Sequence, residues 1–152
     1  MAAQNELEVY RQHVTAQQKY AYFLLAAVGA CVGFALTQTK DAILDTTQLP
    51  LAMALFGWGL SFWCGCMHLK GLQTVLYANM ALIRTQSGRE PPVGHNQALI
   101  SYSENIIREI AVAHGNRSAK ASLWQFRFFV LGVAAYICWH ILEMAWRVQA
   151  LS

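Results

Sequence analysis

Residues 49–69 read LPLAMALFGWGLSFWCGCMHL, a run with no Asp, Glu, Lys or Arg. A hydrocarbon layer about 30 Å thick is crossed by roughly 20 helical residues at ~1.5 Å each. The run therefore has the length and composition of a membrane span. Lipid offers no hydrogen bonds, so every backbone N–H and C=O within it must be satisfied by its own segment, and the span is a helix.

Two similar runs flank it. Upstream, residues 20–36 read YAYFLLAAVGACVGFAL; downstream, residues 123–146 form an apolar run whose ionisable interruptions are Arg127, His140 and Glu143. The whole chain is 56% hydrophobic and only 12% charged, against about 25% charged residues in ordinary soluble domains. These features predict an all-α integral membrane protein with three transmembrane helices and no separate soluble domain. The expected segments are a cytoplasmic N-terminal helix (1–19), a transmembrane hairpin (20–69, spans 20–36 and 49–69), a basic cytoplasmic helical segment (70–122), a third span (123–147) and a C-terminal tail (148–152).

The first span does not read as a signal peptide. A long polar stretch containing Glu6 and Glu8 precedes it, and its apolar run exceeds the roughly 7–15 residues of a signal core. All four cysteines (Cys31, Cys64, Cys66 and Cys138) fall inside the spans, where they act as small apolar residues. Cys64 and Cys66 are two apart, so on a helix they point away from each other and cannot share one metal ion.

The distribution of cations sets the expected orientation. The short connector 37–48 carries Lys40 against Asp41 and Asp45. The segment 70–122 carries Lys70, Arg84, Arg89, Arg108, Arg117 and Lys120. Arg11 and Lys19 add to the leading segment, and only Arg147 follows the third span. The N-terminus and the middle segment are expected on the cytoplasmic side, with Arg127 reaching back to that interface.

The middle segment is itself patterned. Leu69, Leu72, Leu76, Asn79 and Ile83 alternate spacings of three and four, which extends the second helix to about Thr85. SGREPPVGHN (87–96) breaks it at Pro91 and Pro92. Leu99, Ser103, Ile106, Ile110 and Ala113 then repeat the pattern in an amphipathic cytoplasmic helix, with Asn96 as N-cap and Gly115 as its stop.

Small residues speak to assembly. Gly29 and Gly33 form a small-xxx-small pair in span one, and Gly57, Ser61 and Gly65 stack on one face of span two. Such faces allow helices to approach closely in lipid, and a homo-oligomer is expected. Span three contributes a polar face, with Tyr136, His140, Glu143 and Arg147 at i, i+4, i+7 and i+11. With Ala135 at its midpoint, His140 lies roughly 7.5 Å from the bilayer centre and Glu143 roughly 12 Å. Glu143 can meet the outer interface beside Arg147. His140 is inside hydrocarbon, where ionisable groups are functional candidates. Tyr136, His140 and Glu143 are therefore the candidate pore or gate residues, with Gly57, Ser61 and Gly65 as the rival lining.

The six cations of 70–122 face only Glu90, Glu104 and Glu109, leaving a net +3. The positive-inside rule and anionic headgroups account for that excess without a ligand. The other reading is capture of a nucleotide or oligonucleotide, with Arg84, Arg89, Arg108, His114, Arg117 and Lys120 as candidate contacts. Arg108 and His114 have the loose spacing of HEPN ribonucleases, a spacing common by chance. His68 and His140 end on opposite sides and cannot share a haem. No nucleotide-binding glycine loop or zinc spacing is present, so no enzyme, cofactor or metal site is expected.

A helix leading into a tight hairpin (YAYFLLAAVGACVGFAL, then LAMALFGWGLSFWCGC) and continuing as a long cytoplasmic helix resembles the small membrane effectors of bacterial anti-phage defence. SLATT-type two-span effectors and the channel effectors of Hailong systems are the nearest comparison, over residues 4–86. The resemblance is architectural and implies an oligomeric, ion-conducting protein of the bacterial inner membrane, held shut until infection. The third span departs from that pattern, and no residue roles carry over. The expected function is an oligomeric channel or pore-forming effector gated by its cytoplasmic helices. The alternative is a membrane-anchored scaffold that recruits a cytoplasmic partner protein.

Overall fold

The computed structural model describes residues 2–39, 48–87 and 97–150, with their side chains except at 2–4, 6–7 and 147–150. Three helices account for nearly all of it: α1 (Ala2–Gln38), α2 (Leu49–Gln86) and α3 (Gln97–Ala150). No strand occurs among the described residues. Each helix is long and apolar enough to cross a membrane.

Local chemistry explains the ends that are described. Pro50 lies in the first turn of α2, where its missing N–H breaks no hydrogen bond. At the end of α1, the Thr39 hydroxyl donates to the Ala35 carbonyl at 2.9 Å, and the Thr39 N–H to the same oxygen at 3.2 Å. Ser87 closes α2 similarly, its hydroxyl donating to Arg84 O at 3.0 Å and its N–H to Ile83 O at 3.1 Å. Terminal carbonyls with no helical partner are thus satisfied.

Two sequence expectations are corrected. Gly115 does not end a helix, and the amphipathic helix and third span are one element of 54 residues. A glycine in a helix interior costs about 1 kcal/mol relative to alanine, too little to break a helix that continues for many turns on both sides. The second correction concerns the packed face beyond residue 66. Leu76 and Ile83 of the expected stripe are exposed, as are Leu99, Ile106 and Ile110, while His68, Gly71, Thr85 and Ser118 are buried. Small and polar residues pack there, because they let the backbones come closer than leucine would. The break at 88–96, the Asn96 cap and the Lys40 connector lie outside the described residues.

The chain divides into two compact units, Met1–Gly65 with Ser122–Ser152, and Cys66–Ala121. In the first, α2 runs antiparallel to α3. Gly57 meets Phe128 and Gly132, and Ser61 and Gly65 meet Gln125. Helix α1 joins at Leu25 beside Gly65 and at Phe34 against Tyr136. In the second unit α2 and α3 again run antiparallel, with His68 and Gly71 on Ser118 and Val75 nearest Gly115.

The buried positions follow a seven-residue rhythm. On α2 Leu51, Ala54, Trp58, Ser61, Gly65 and His68 keep it, with Gly71 and Thr85 also buried further on; on α3 Ser118, Gln125, Gly132 and Trp139 keep it. Steps alternating three and four on α2, and steps of seven on α3, keep one narrow stripe facing the partner helix, as in knobs-into-holes packing. Beyond the stripe and its half-buried flanks the helices are uncovered, including large apolar groups such as Phe23 (68% exposed), Phe56 (70%) and Trp63 (67%). A water-facing surface of this kind would drive aggregation. In lipid it is the ordinary outside of a span.

Candidate functional site

Three groups of residues concentrate the chemistry. The first is a polar contact inside the first unit. The Ser61 hydroxyl donates to the backbone carbonyl of Gln125 at 2.8 Å. The Gln125 side chain is fully buried, and neither its Oε1 nor its Nε2 has a hydrogen-bond partner among the described residues. Gly65 makes room for it, since a Cβ there would lie 2.6 Å from Gln125 Nε2 and 2.8 Å from Leu25 Cδ2. The face of Gly57, Ser61 and Gly65 is thus occupied by α3 within the protomer. Gly57 packs against the α3 backbone there, a Cβ on Gly57 standing 3.4 Å from both Gly132 Cα and the Phe128 carbonyl oxygen.

The second group is the candidate gate on α3. Its three residues do not share one environment. Tyr136 turns inward, with ring centroids 6.2 Å from Phe34, 5.7 Å from Trp58 and 5.5 Å from Trp139. Glu143 is half-buried and has a polar or charged interaction. His140 is exposed, and among the described residues its only ring neighbour is Trp139 on its own helix, at 6.3 Å. The Arg147 side chain, its expected companion, lies outside the described residues.

The third group lies in the second unit. His68 is buried, and its Nδ1 is 2.9 Å from the Ser118 carbonyl and 2.8 Å from the Ser118 hydroxyl. That hydroxyl donates to the His68 carbonyl at 2.9 Å. A carbonyl only accepts, so these partners place the imidazole proton on Nδ1. The two helices approach closely here, since a Cβ on Gly71 would stand 2.6 Å from Ser118 Cβ. Beside this crossing is a groove of about 450 Å³. Lys70 and Thr74 line it from α2; His114 and Arg117 line it from α3.

The groove gathers part of the expected ligand set. His114 and Arg117 line it, one turn apart on α3. Arg84, Arg108 and Lys120 do not, and Arg89 lies outside the described residues. Lys70 counts among the six cations of the basic segment but not among the expected contacts, and Thr74 carries no charge that would single it out in sequence. Gln125 and Gly132 were also missed. Each is a single residue in an apolar run, but both fall on the seven-residue rhythm shared with Trp139 and Ser118. That rhythm is the signal that could have found them.

No family model, curated protein or solved structure matches the chain.

Proposed function

We propose that the chain forms a homo-oligomeric membrane channel or pore-forming effector, with residues 66–121 as the cytoplasmic element that controls it. One observation carries the reading. His140 is an ionisable side chain exposed on the outside of the protomer, within the apolar run that crosses the membrane. An exposed imidazole in hydrocarbon is costly, and such groups face a bundle interior or a water-filled cavity. A neighbouring copy or an aqueous path would cover it. The three-helix seam does not supply that path, since α3 occupies the face of Gly57, Ser61 and Gly65. The conducting surface is therefore assigned to contacts between copies, with His140 at its constriction and Glu143 toward one mouth.

Lys and Arg placement supports an N-terminus on the cytoplasmic side. The architectural resemblance to membrane effectors of anti-phage defence supports the bacterial inner membrane and a closed resting state. A second reading is favoured by the exposed apolar stripe Leu99, Ile106 and Ile110. Repeated at three- and four-residue steps in a basic segment, it could seat a partner helix, making the chain a membrane scaffold.

Planar-bilayer recording from purified protein separates the two. The channel reading expects unitary currents that His140→Ala reduces. Silent bilayers from a folded, oligomeric preparation would overturn it. The scaffold reading expects partner capture that is lost with Ile106→Lys and unaffected by His140→Ala.

A further inference from the structure

We propose that the groove between α2 and α3 in the second unit binds a phosphate group through Lys70, His114 and Arg117. The inference gives a chemical identity to the ligand of the reading above, and it rests on that reading only for the groove's cytoplasmic side.

Three features point to an anion. The groove takes an ammonium, a guanidinium and an imidazole from two helices, and no Asp or Glu lines it among the described residues. None of the three side chains has an ion-pair partner among the described residues. Nor is the floor free to serve another ligand. Ser118 is committed to His68, and the Thr74 hydroxyl donates to the Lys70 carbonyl at 3.0 Å. What remains is a set of donors, unpaired among the described residues, around an open space.

The placement has a steric cause. Gly71 and Ser118 hold the backbones close, which brings the side chains before and after them onto one another's flank. On α3, His114 and Arg117 are one turn apart and share the flank beside Ser118. On α2, Lys70 precedes the crossing glycine. A volume of about 450 Å³ falls within the range of small-molecule sites and accommodates a phosphate with its organic substituent. Guanidinium binds phosphate oxygens bidentately, and the lysine adds a point charge.

The phosphate has two possible sources. In sequence Lys70 directly follows the apolar run 49–69, and Arg117 shortly precedes the one beginning at Leu123. That register suits a phospholipid headgroup. A soluble nucleotide presents the same phosphate chemistry.

The test uses the full chain in nanodiscs. One arm reconstitutes it in an equal mixture of phosphatidylcholine and phosphatidylglycerol, and native mass spectrometry counts the phosphatidylglycerol retained. The other arm, in phosphatidylcholine alone, measures ATP and inorganic phosphate by equilibrium dialysis. Lys70→Gln and Arg117→Gln are each expected to weaken the bound probe by about tenfold, the effect of one charge-assisted contact. Lys120→Gln removes an equal charge outside the groove and is expected to change binding less than twofold. Circular dichroism verifies that the variants remain helical, and Arg117→Lys is expected to retain part of the affinity if R117Q does not fold.

Retention of phosphatidylglycerol alone assigns the site to a lipid headgroup; ATP or phosphate binding assigns it to a soluble ligand. Binding of none of the three probes overturns the proposal. So does equal weakening by K120Q, which would reduce the groove to general surface charge. Silent bilayers with binding intact would overturn the channel reading and leave the phosphate site standing.

Discussion

A methyl group placed on Gly132 would lie 2.5 Å from both Cδ1 and Nε1 of the Trp58 indole and 3.1 Å from the carbonyl oxygen of Ala54. Trp58 is a large side chain and fully buried, so neither the ring nor the backbone beneath it can step aside cheaply. Gly132→Ala is expected to destabilise the helix seam by about 1–3 kcal/mol, the usual penalty for overpacking. Thermal unfolding in detergent checks this. Gly59→Ala is the control, because a Cβ there meets nothing within 4 Å. An unchanged midpoint for G132A would show that the seam is looser than these distances require.

Gln125→Leu is expected to stabilise the protein. The buried amide has no partner on either polar atom among the described residues, and leaving such a group unsatisfied costs about 1–3 kcal/mol. Leucine fills a similar volume without that penalty, and the Ser61 hydroxyl keeps its partner, which is the backbone carbonyl. A higher unfolding temperature is the expected result. A lower one would mean that the amide is satisfied in the membrane by water or another chain.

The helical class and the three helices long and apolar enough to cross a membrane could be read from composition and run length. Lipid forces helices, and the longest apolar runs mark them without any alignment. The packing inside could not be read the same way. Leu76 and Ile83 looked like seam residues because large apolar groups face cores in soluble proteins. In lipid the same groups face outward at no cost, and the seam belongs to Ala54, Ser61, Gly65, His68 and Ser118. The expected polar face of α3 divides between environments for a related reason. Tyr136 carries an apolar ring that packs among Trp58 and Trp139, whereas His140, one turn later, is exposed. Periodicity placed both on one flank and could not tell which the neighbouring helices would cover. The basic groove was half visible, because His114 and Arg117 are close in sequence while Lys70 meets them only through folding.

The His68–Ser118 pair should respond asymmetrically to truncation. In Ser118→Ala the imidazole keeps its bond to the Ser118 backbone carbonyl at 2.9 Å, and the loss is expected near 1 kcal/mol. In His68→Ala a buried ring is removed and a void remains against Gly71 and Ser118. About 2–4 kcal/mol is expected there, in the range of other large-to-small core changes. Chemical denaturation of the two variants side by side tests the ordering. Equal losses would indicate that the hydroxyl, rather than the ring, holds the crossing.

Gly29 and Gly33 distinguish assembly from folding. A Cβ on either would meet nothing within 4 Å, so no helix of the same protomer uses this close-approach face. Gly29 also borders an open apolar groove of about 490 Å³ shared with Gly59, Leu55 and Phe62. If a second copy lies against that face, Gly29→Leu and Gly33→Leu should lower the oligomeric mass in detergent, because bulky side chains bar close backbone approach. The protomer should unfold at its usual temperature, since nothing within it is displaced. Gly57→Leu should do the reverse, disturbing the α2–α3 contact whatever the oligomer does. Size-exclusion chromatography with light scattering reads the mass, and thermal unfolding reads the fold. An unchanged mass for both Gly29→Leu and Gly33→Leu would remove α1 from the interface and leave the surface around His140 as the remaining candidate for contact between copies.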